Sequence, residues 1–248
     1  MKLKQVVLFG SLIYSLLFYI SCEDSPLNPS CIEGEGTIRT ETLSIASFSG
    51  IDLSIFGDVK ISQGAVQDVT ATGHPNILED LKTSVSNNVW KIDLIEDCYE
   101  NYELSIDITV QDINKIFLSG AGDIIVNDFN NQNNLEVDIS GAGNIEVNEF
   151  DGLKDLDVEI SGSGKMEGNK NINSVVTCDI KVSGSGNYKG FLISSEDCSV
   201  KVSGSANAEL TATQTLDVEI TGSGNVFYKG NPSITQRITG SGSLIDAN

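Results

Sequence analysis

Basic side chains are scarce in this 248-residue chain, where 15 Lys and Arg stand against 35 Asp and Glu for a net charge of -20 and a pI near 4.2. Binding to phosphate backbones is driven by Lys and Arg displacing counterions, so nucleic acid is excluded as a partner. Histidine is scarcer still. With His74 alone, the chain cannot build a His-rich zinc cage or a two-His metal centre, and a histidine general base would have to be that residue. Long apolar runs are also missing. The longest apolar stretch, Val6 to Ile20, carries no charge and spans 15 residues, short of the roughly 20 that a membrane-crossing helix needs. Against these absences stand an apolar content of 40% and 24 glycines. The first is enough for a real core, and the length allows one large all-β domain or two small ones. The glycines follow neither the every-third-residue rule of collagen nor the composition of a Gly/Ser linker, because they sit among Ile, Val and Leu.

Residues 1–21 carry Lys2 and Lys4 ahead of the apolar stretch, and Cys22 follows directly after Ser21. This is the layout of a cleaved export signal. It resembles a bacterial lipoprotein signal, in which the Cys is lipidated and becomes the mature N-terminus; Tyr19 departs from the usual Leu. Lipid attachment at Cys22 and an outer-membrane location, on the cell surface or the periplasmic face, are what that resemblance implies. Glu23 and Asp24 resemble the surface-export signals of Bacteroidota lipoproteins. Residues 22–36 read as an acidic, polar tether, and an acyl anchor holds such an acidic chain at a membrane by apolar burial alone.

The glycine excess resolves into a repeat. A motif [ST]-G-[SA]-[GA] begins at Ser119, Ser140, Ser161, Ser183, Ser203, Thr221 and Thr239, at spacings of 21, 21, 22, 20, 18 and 18. It uses Gly120, Gly122, Gly141, Gly143, Gly162, Gly164, Gly184, Gly186, Gly204, Gly222, Gly224, Gly240 and Gly242. Alternating strand patterns such as LEVDIS, LDVEIS and CSVKVS precede it. Counting back from the motif, positions one, three and five residues earlier form apolar columns: Leu118 to Ile238, Ile116 to Val218 with Gln236 breaking the last copy, and Leu135 to Ile234 with Asn114 breaking the first. Period-2 alternation places these columns on the buried face. Five residues past each motif start, Ile124, Ile145, Met166, Tyr188, Ala208, Val226 and Leu244 continue inward on the next strand. The motif glycines are assigned to tight turns, permitting positive φ and close backbone approach. An antiparallel sandwich could use each motif as a hairpin tip. Identical phase and identical turn chemistry in every copy favour instead a parallel β-solenoid of roughly 20-residue coils over 111–248.

The SGAG and SGSG turns, the ending GNVFYKGNPSITQRITGSG (224–242) and the upstream block FSGIDLSIFGDVKISQG (48–64) resemble the head GIN family of auto-transporter-like adhesins, across roughly residues 40–245. The resemblance implies a right-handed β-solenoid of pectate-lyase-like shape, no established catalytic residues and a role in adhesion. Residues 37–110 lack the motif but keep strand signals, which predict wider coils or a β cap continuous with the solenoid. SVSNNVWKIDLIED reads as a hairpin with Trp90 in the core, and a helical turn is predicted at 76–83, after Pro75. Beyond Cys22, four cysteines allow three full pairings. Cys178 and Cys198 fill inward positions on successive coils and read as buried thiols, while a Cys31–Cys98 bridge is one way to staple the tether to the first coils.

Recognisable catalytic chemistry is sparse. Outward columns carry Glu136, Asp138, Asp157, Glu159, Asp179 and Asp217 among others. Carboxylates stacked this way suit a calcium site or a glycosidase pair, but outward strand positions must be polar in any case. No catalytic, cofactor or metal residue is assigned. The outward apolar residues Phe117, Ile125, Phe227 and Ile245 are candidates for an adhesive strip. The reading is a non-enzymatic envelope protein that binds glycan or protein. The alternatives are a carbohydrate-active enzyme and a structural protein that self-associates through strand edges at the solenoid's end.

Overall fold

The computed structural model describes residues 31–248, so the export signal and Cys22 lie outside the described residues. Those described are nearly all-β, with parallel strands stacked coil on coil into a β-solenoid. Each motif-bearing coil turns from a strand of one sheet face into a strand of the next. The first face holds Lys115–Leu118, Asn134–Ile139 and Asp155–Ile160, then the C-terminal parts of Ile172–Val182, Asn187–Val202 and Asn207–Gly222, and last Ser233–Gly240. The second face holds Asp123–Val126, Asn144–Val147, Lys165–Gly168, the starts of the long strands, Asn225–Lys229 and Leu244–Asp246. Phe129–Asn130 and Phe150–Asp151 begin a third side, where Phe129 and Phe150 stack at 5.4 Å.

The register aligns the inward columns. Ile116, Val137, Val158, Ile180, Val200 and Val218 are successive partners, each at most 1% exposed. Burying each such side chain is worth about 1.5–3 kcal/mol relative to leaving it in water. This ladder is the core. The last copy departs from it: Ile234 and Ile238 are 38% and 39% exposed and Gln236 is also exposed, because no further coil covers them among the described residues. In the first copy Ile113, not Asn114, is fully buried.

The motif glycines obey a stacking constraint more than a dihedral one. Positive φ is the expectation for tight turns, but among them it occurs only at Gly222 (140°) and Gly240 (128°). What every coil shares is the approach of one turn to the turn beneath. A Cβ on Gly164 would come 2.6 Å from Ile139 Cγ2 and closer still to the Gly143 carbonyl. That carbonyl accepts the Lys165 N–H at 3.2 Å, while Ala142 donates to Gly120 O and Ser163 to Gly141 O at 3.1 Å each. Hydrogen bonding between turns requires the close spacing, and at the glycine positions the spacing leaves no room for a side chain; Ala206 is the one motif position of this kind that carries a Cβ. Ser54–Gly57 occupies the same place under Ser119–Gly122, a degenerate copy without the motif's first glycine.

The N-terminal part departs from chain order. Gly50–Leu53 lies between Lys115–Leu118 and Val89–Ile92, and Asp58–Gln63 lies between Asp123–Val126 and Leu104–Val110. The coil formed second in sequence is therefore first in the stack. Asp68–Gly73 and then Arg39–Thr42 pair antiparallel beyond Leu104–Val110. The predicted hairpin joins Val85–Ser86 to Val89–Ile92 through Asn87 and Asn88, both at positive φ as a two-residue turn requires. Trp90 is fully buried and donates to the Lys82 carbonyl at 2.9 Å. The predicted helical turn forms at Pro75–Glu79 and buries Ile77 and Leu78. Residues 31–33, read from the sequence as part of the 22–36 tether, are docked: Ile32–Glu33 pairs with Tyr99–Glu100, and Cys31 is disulfide-bonded to Cys98.

Candidate binding surface

A trough of about 590 Å³ lies on the first face, crossing the strands from Asn134–Ile139 to Asn207–Gly222. Its origin is the strand alternation itself. Leu135, Leu156, Cys178, Cys198 and Leu216 point inward, and the residues on either side of them point out. Two outward columns thus wall a channel whose floor is the backbone between them. One wall is Asn134, Asp155, Thr177, Asp197 and Thr215; the other is Glu136, Asp157, Asp179, Ser199 and Asp217. With four inter-strand steps of about 4.8 Å, the channel is about 19 Å long.

The walls differ in how far their carboxylates are already engaged. Asp155 accepts from Thr177 Oγ1, and Asp197 from Thr215 Oγ1 at 2.6 Å. Glu136 is held by Lys115 at 2.6 Å, and Lys181 reaches Asp179 at 3.2 Å and Asp157 at 3.9 Å. The hydrogen bond from Lys181 to Asp179 raises the lysine's pKa above its ordinary value. Asp179 Oδ1 is shielded from solvent and has no hydrogen-bond partner. Six carboxylates therefore line the trough against two flanking lysines. A ligand with N–H or O–H donors fits such a surface, whereas an anionic one is repelled. Among the described residues, no group of three or more His, Cys, Asp and Glu is placed to hold a metal ion.

Other candidates fall elsewhere. His74 is the cap residue of the short helix, and its Nδ1 accepts the Glu103 N–H at 3.2 Å, an architectural use of the ring. The Asp138 carboxyl is pushed above the usual range, first by burial and then by Glu159, Glu136 and Asp52; it lies on the column beside the trough. Cys178 and Cys198 are buried free thiols. A hydrogen bond with Cys198, reinforced by burial, holds the Cys178 thiol well above its ordinary pKa, which disfavours the reactive thiolate. Of the outward apolar residues, Ile125 is 39% exposed while Phe117, Phe227 and Ile245 are half-buried. More exposed is Phe56, at 59%, which packs edge to face with Tyr102 at the N-terminal end of the glycine turns.

The sequence reading missed a polar ladder just behind the motif. Asn207 donates its N–H to Asn187 Oδ1, Asn225 to Asn207 Oδ1 and Ser243 to Asn225 Oδ1, at 3.1 Å each; Asn144 donates to Asp123 Oδ1 at 2.9 Å. The signal was present as a recurrent Asn directly after the turn, at 144, 187, 207 and 225.

Residues 47–232 match the family model described as "Putative auto-transporter adhesin, head GIN domain". The fold is similar to three solved structures. A "putative adhesin" from Bacteroides fragilis has a TM-score of 0.79 at 22% identity, covering 87% of this chain and 99% of that one. A "putative lipid binding protein" from Parabacteroides distasonis has 0.71 at 23%, covering 88% and 99%. A "putative adhesin" from Parabacteroides merdae has 0.67 at 20%, again covering 88% and 99%. No curated protein matches the chain.

Proposed function

The chain belongs to the head GIN domain family of auto-transporter-like adhesins, and from that premise we propose that it is a non-enzymatic, lipid-anchored envelope protein that holds an extended glycan or protein partner along the acidic trough. The observation that carries this reading is the trough itself, whose walls repeat carboxylates at the coil spacing. A neutral or cationic ligand rich in donors suits it. Polyuronates do not, because their carboxylates would face Asp157, Asp179 and Asp217 at close range. The anchor is the acylated Cys22, tested by incorporation of a clickable fatty acid that Cys22→Ser abolishes.

Binding is tested with residues 23–248 on arrays of neutral, amino-sugar and uronate glycans and of host proteins. The expected partner is lost or weakened about tenfold in the double variant Asp157→Asn/Asp179→Asn, and its affinity falls with salt if it is cationic. A partner that binds the double variant as tightly as the parent chain refutes the trough as the site. Turnover of any glycan on the array refutes the non-enzymatic reading.

A further inference from the structure

We propose that two copies of this chain join end to end through the open coil of the solenoid, their Ser233–Gly240 strands pairing antiparallel about a two-fold axis at Gln236. The two ends of the stack are built differently. At the N-terminal end, Asp68–Gly73 and Arg39–Thr42 continue the second face as antiparallel strands, and Val85–Ser86 does the same for Val89–Ile92 on the first. A parallel coil from another molecule has no matching edge there. At the other end Ser233–Gly240 is a full-length strand bonded on one side only among the described residues.

The direction of the existing bonds fixes which groups are free. Within the stack, outward residues send their N–H groups back to the preceding coil: Glu136 to Asn114 O at 2.9 Å, Ser140 to Leu118 O at 3.1 Å, Ser161 to Ile139 O at 2.9 Å. Inward residues point theirs at the next coil. In the last strand these are Ile234, Gln236 and Ile238. An antiparallel pair exchanges both bonds at every second residue. Centring it on Gln236 makes bonded pairs of Gln236 with Gln236 of the second copy and of Ile234 with Ile238 of the second copy, twice by symmetry. The same register lays the exposed Ile234 and Ile238 side chains against one another and matches the two Gln236 amides, which supply both donor and acceptor.

Charge agrees with this occupant. The chain carries -20 overall, yet the only charged residue in Ser233–Gly240 is Arg237, already paired with Glu219 at 3.3 Å. Exposed edges are commonly protected by charge or proline; this strand has no proline and points its arginine outward. The chemistry that fits the edge is therefore its own.

The test is sedimentation velocity of residues 23–248 from about 1 to 500 µM. A monomer–dimer equilibrium is expected, strengthened by salt as the repulsion between two acidic copies is screened. Gln236→Lys sets two ammonium groups on the axis and should shift the midpoint at least tenfold upward, with an unchanged melting temperature showing that the fold is kept. Gln236→Cys should crosslink to itself under diamide far faster than Thr235→Cys, whose partner across the axis is Arg237. Monomer at every concentration overturns the proposal. So does a dimer that ignores Gln236→Lys, and so does a monomer whose 234–238 amides are protected from hydrogen exchange, which would mean that the chain's own residues cover the edge.

Discussion

Replacing Gly164 by alanine adds one methyl group where two turns already touch. The new Cβ would lie 2.6 Å from Ile139 Cγ2 and nearer still to the Gly143 carbonyl. A side-chain neighbour can rotate away, but the carbonyl belongs to the coil below and moves only if the coils separate. Overpacking against so unyielding a partner belongs at the upper end of the usual 1–3 kcal/mol. Alanine also stiffens the unfolded chain, which returns about 0.4–1 kcal/mol. The net loss is about 2 kcal/mol, or about 4–8 °C in melting temperature for a body of this size. Calorimetry on Gly164→Ala beside Ser163→Ala, an exposed change one residue away, isolates the effect. The natural alanine at the equivalent slot, Ala206, is 1% exposed and provides the reverse experiment. Ala206→Gly should destabilise by about 1.5 kcal/mol through a lost methyl and a freer unfolded chain. If Gly164→Ala melts with Ser163→Ala, the turns are not limited by carbonyl approach and the stacking account fails.

Reducing the Cys31–Cys98 bridge, which closes a sequence separation of 67, should cost about 4 kcal/mol on the loop-entropy model, seen as a lower melting temperature in a phosphine reductant; no change would mean that the first strands are held by packing alone. Asp138→Asn should raise the melting temperature at pH 7. The folded carboxyl has a raised pKa, so its ionised form is penalised above that value, and the advantage of the variant should close as pH falls toward the unfolded pKa. Asp128→Asn should do the opposite: the hydrogen bond from Lys170 lowers that carboxyl, and the stability it contributes near neutrality disappears as pH falls through its folded pKa. Parallel melts from pH 3 to 8 separate the two signs. Phe150→Ala removes half of the Phe129–Phe150 stack in a fully buried site and should cost about 3–5 kcal/mol by denaturant titration.

Much of the solenoid was legible because its information is periodic. The Ile116 to Val218 column, the turn motif and the burial of Trp90 follow from alternation and spacing, and each appears at the predicted place. The stacking order of the N-terminal coils was not legible, since Val89–Ile92 and Gly50–Leu53 have the same strand chemistry and nothing local says which lies outermost. Ser54–Gly57 escaped notice because Ile55 and Phe56 stand where later copies have small residues. The trough was half visible. Its carboxylates were read as an outward face, but the concavity between two columns depends on how the strands bend, which alternation does not encode. Exposure of Ile234 and Ile238 likewise depends on whether another coil is stacked over them, a property of the assembly rather than of the residues.

Because each glycine turn rests on the one beneath it, the spacing between coils cannot drift, and variation in repeat length, from 18 to 22 residues, is confined to the connectors. The molecule thereby has a unit of inheritance larger than a residue. Duplicating or deleting one complete coil leaves its neighbours facing surfaces they already fit, and lengthens or shortens the trough by one strand spacing of about 4.8 Å. A lineage could tune the length of that acidic channel by counting coils, without redesigning a single contact.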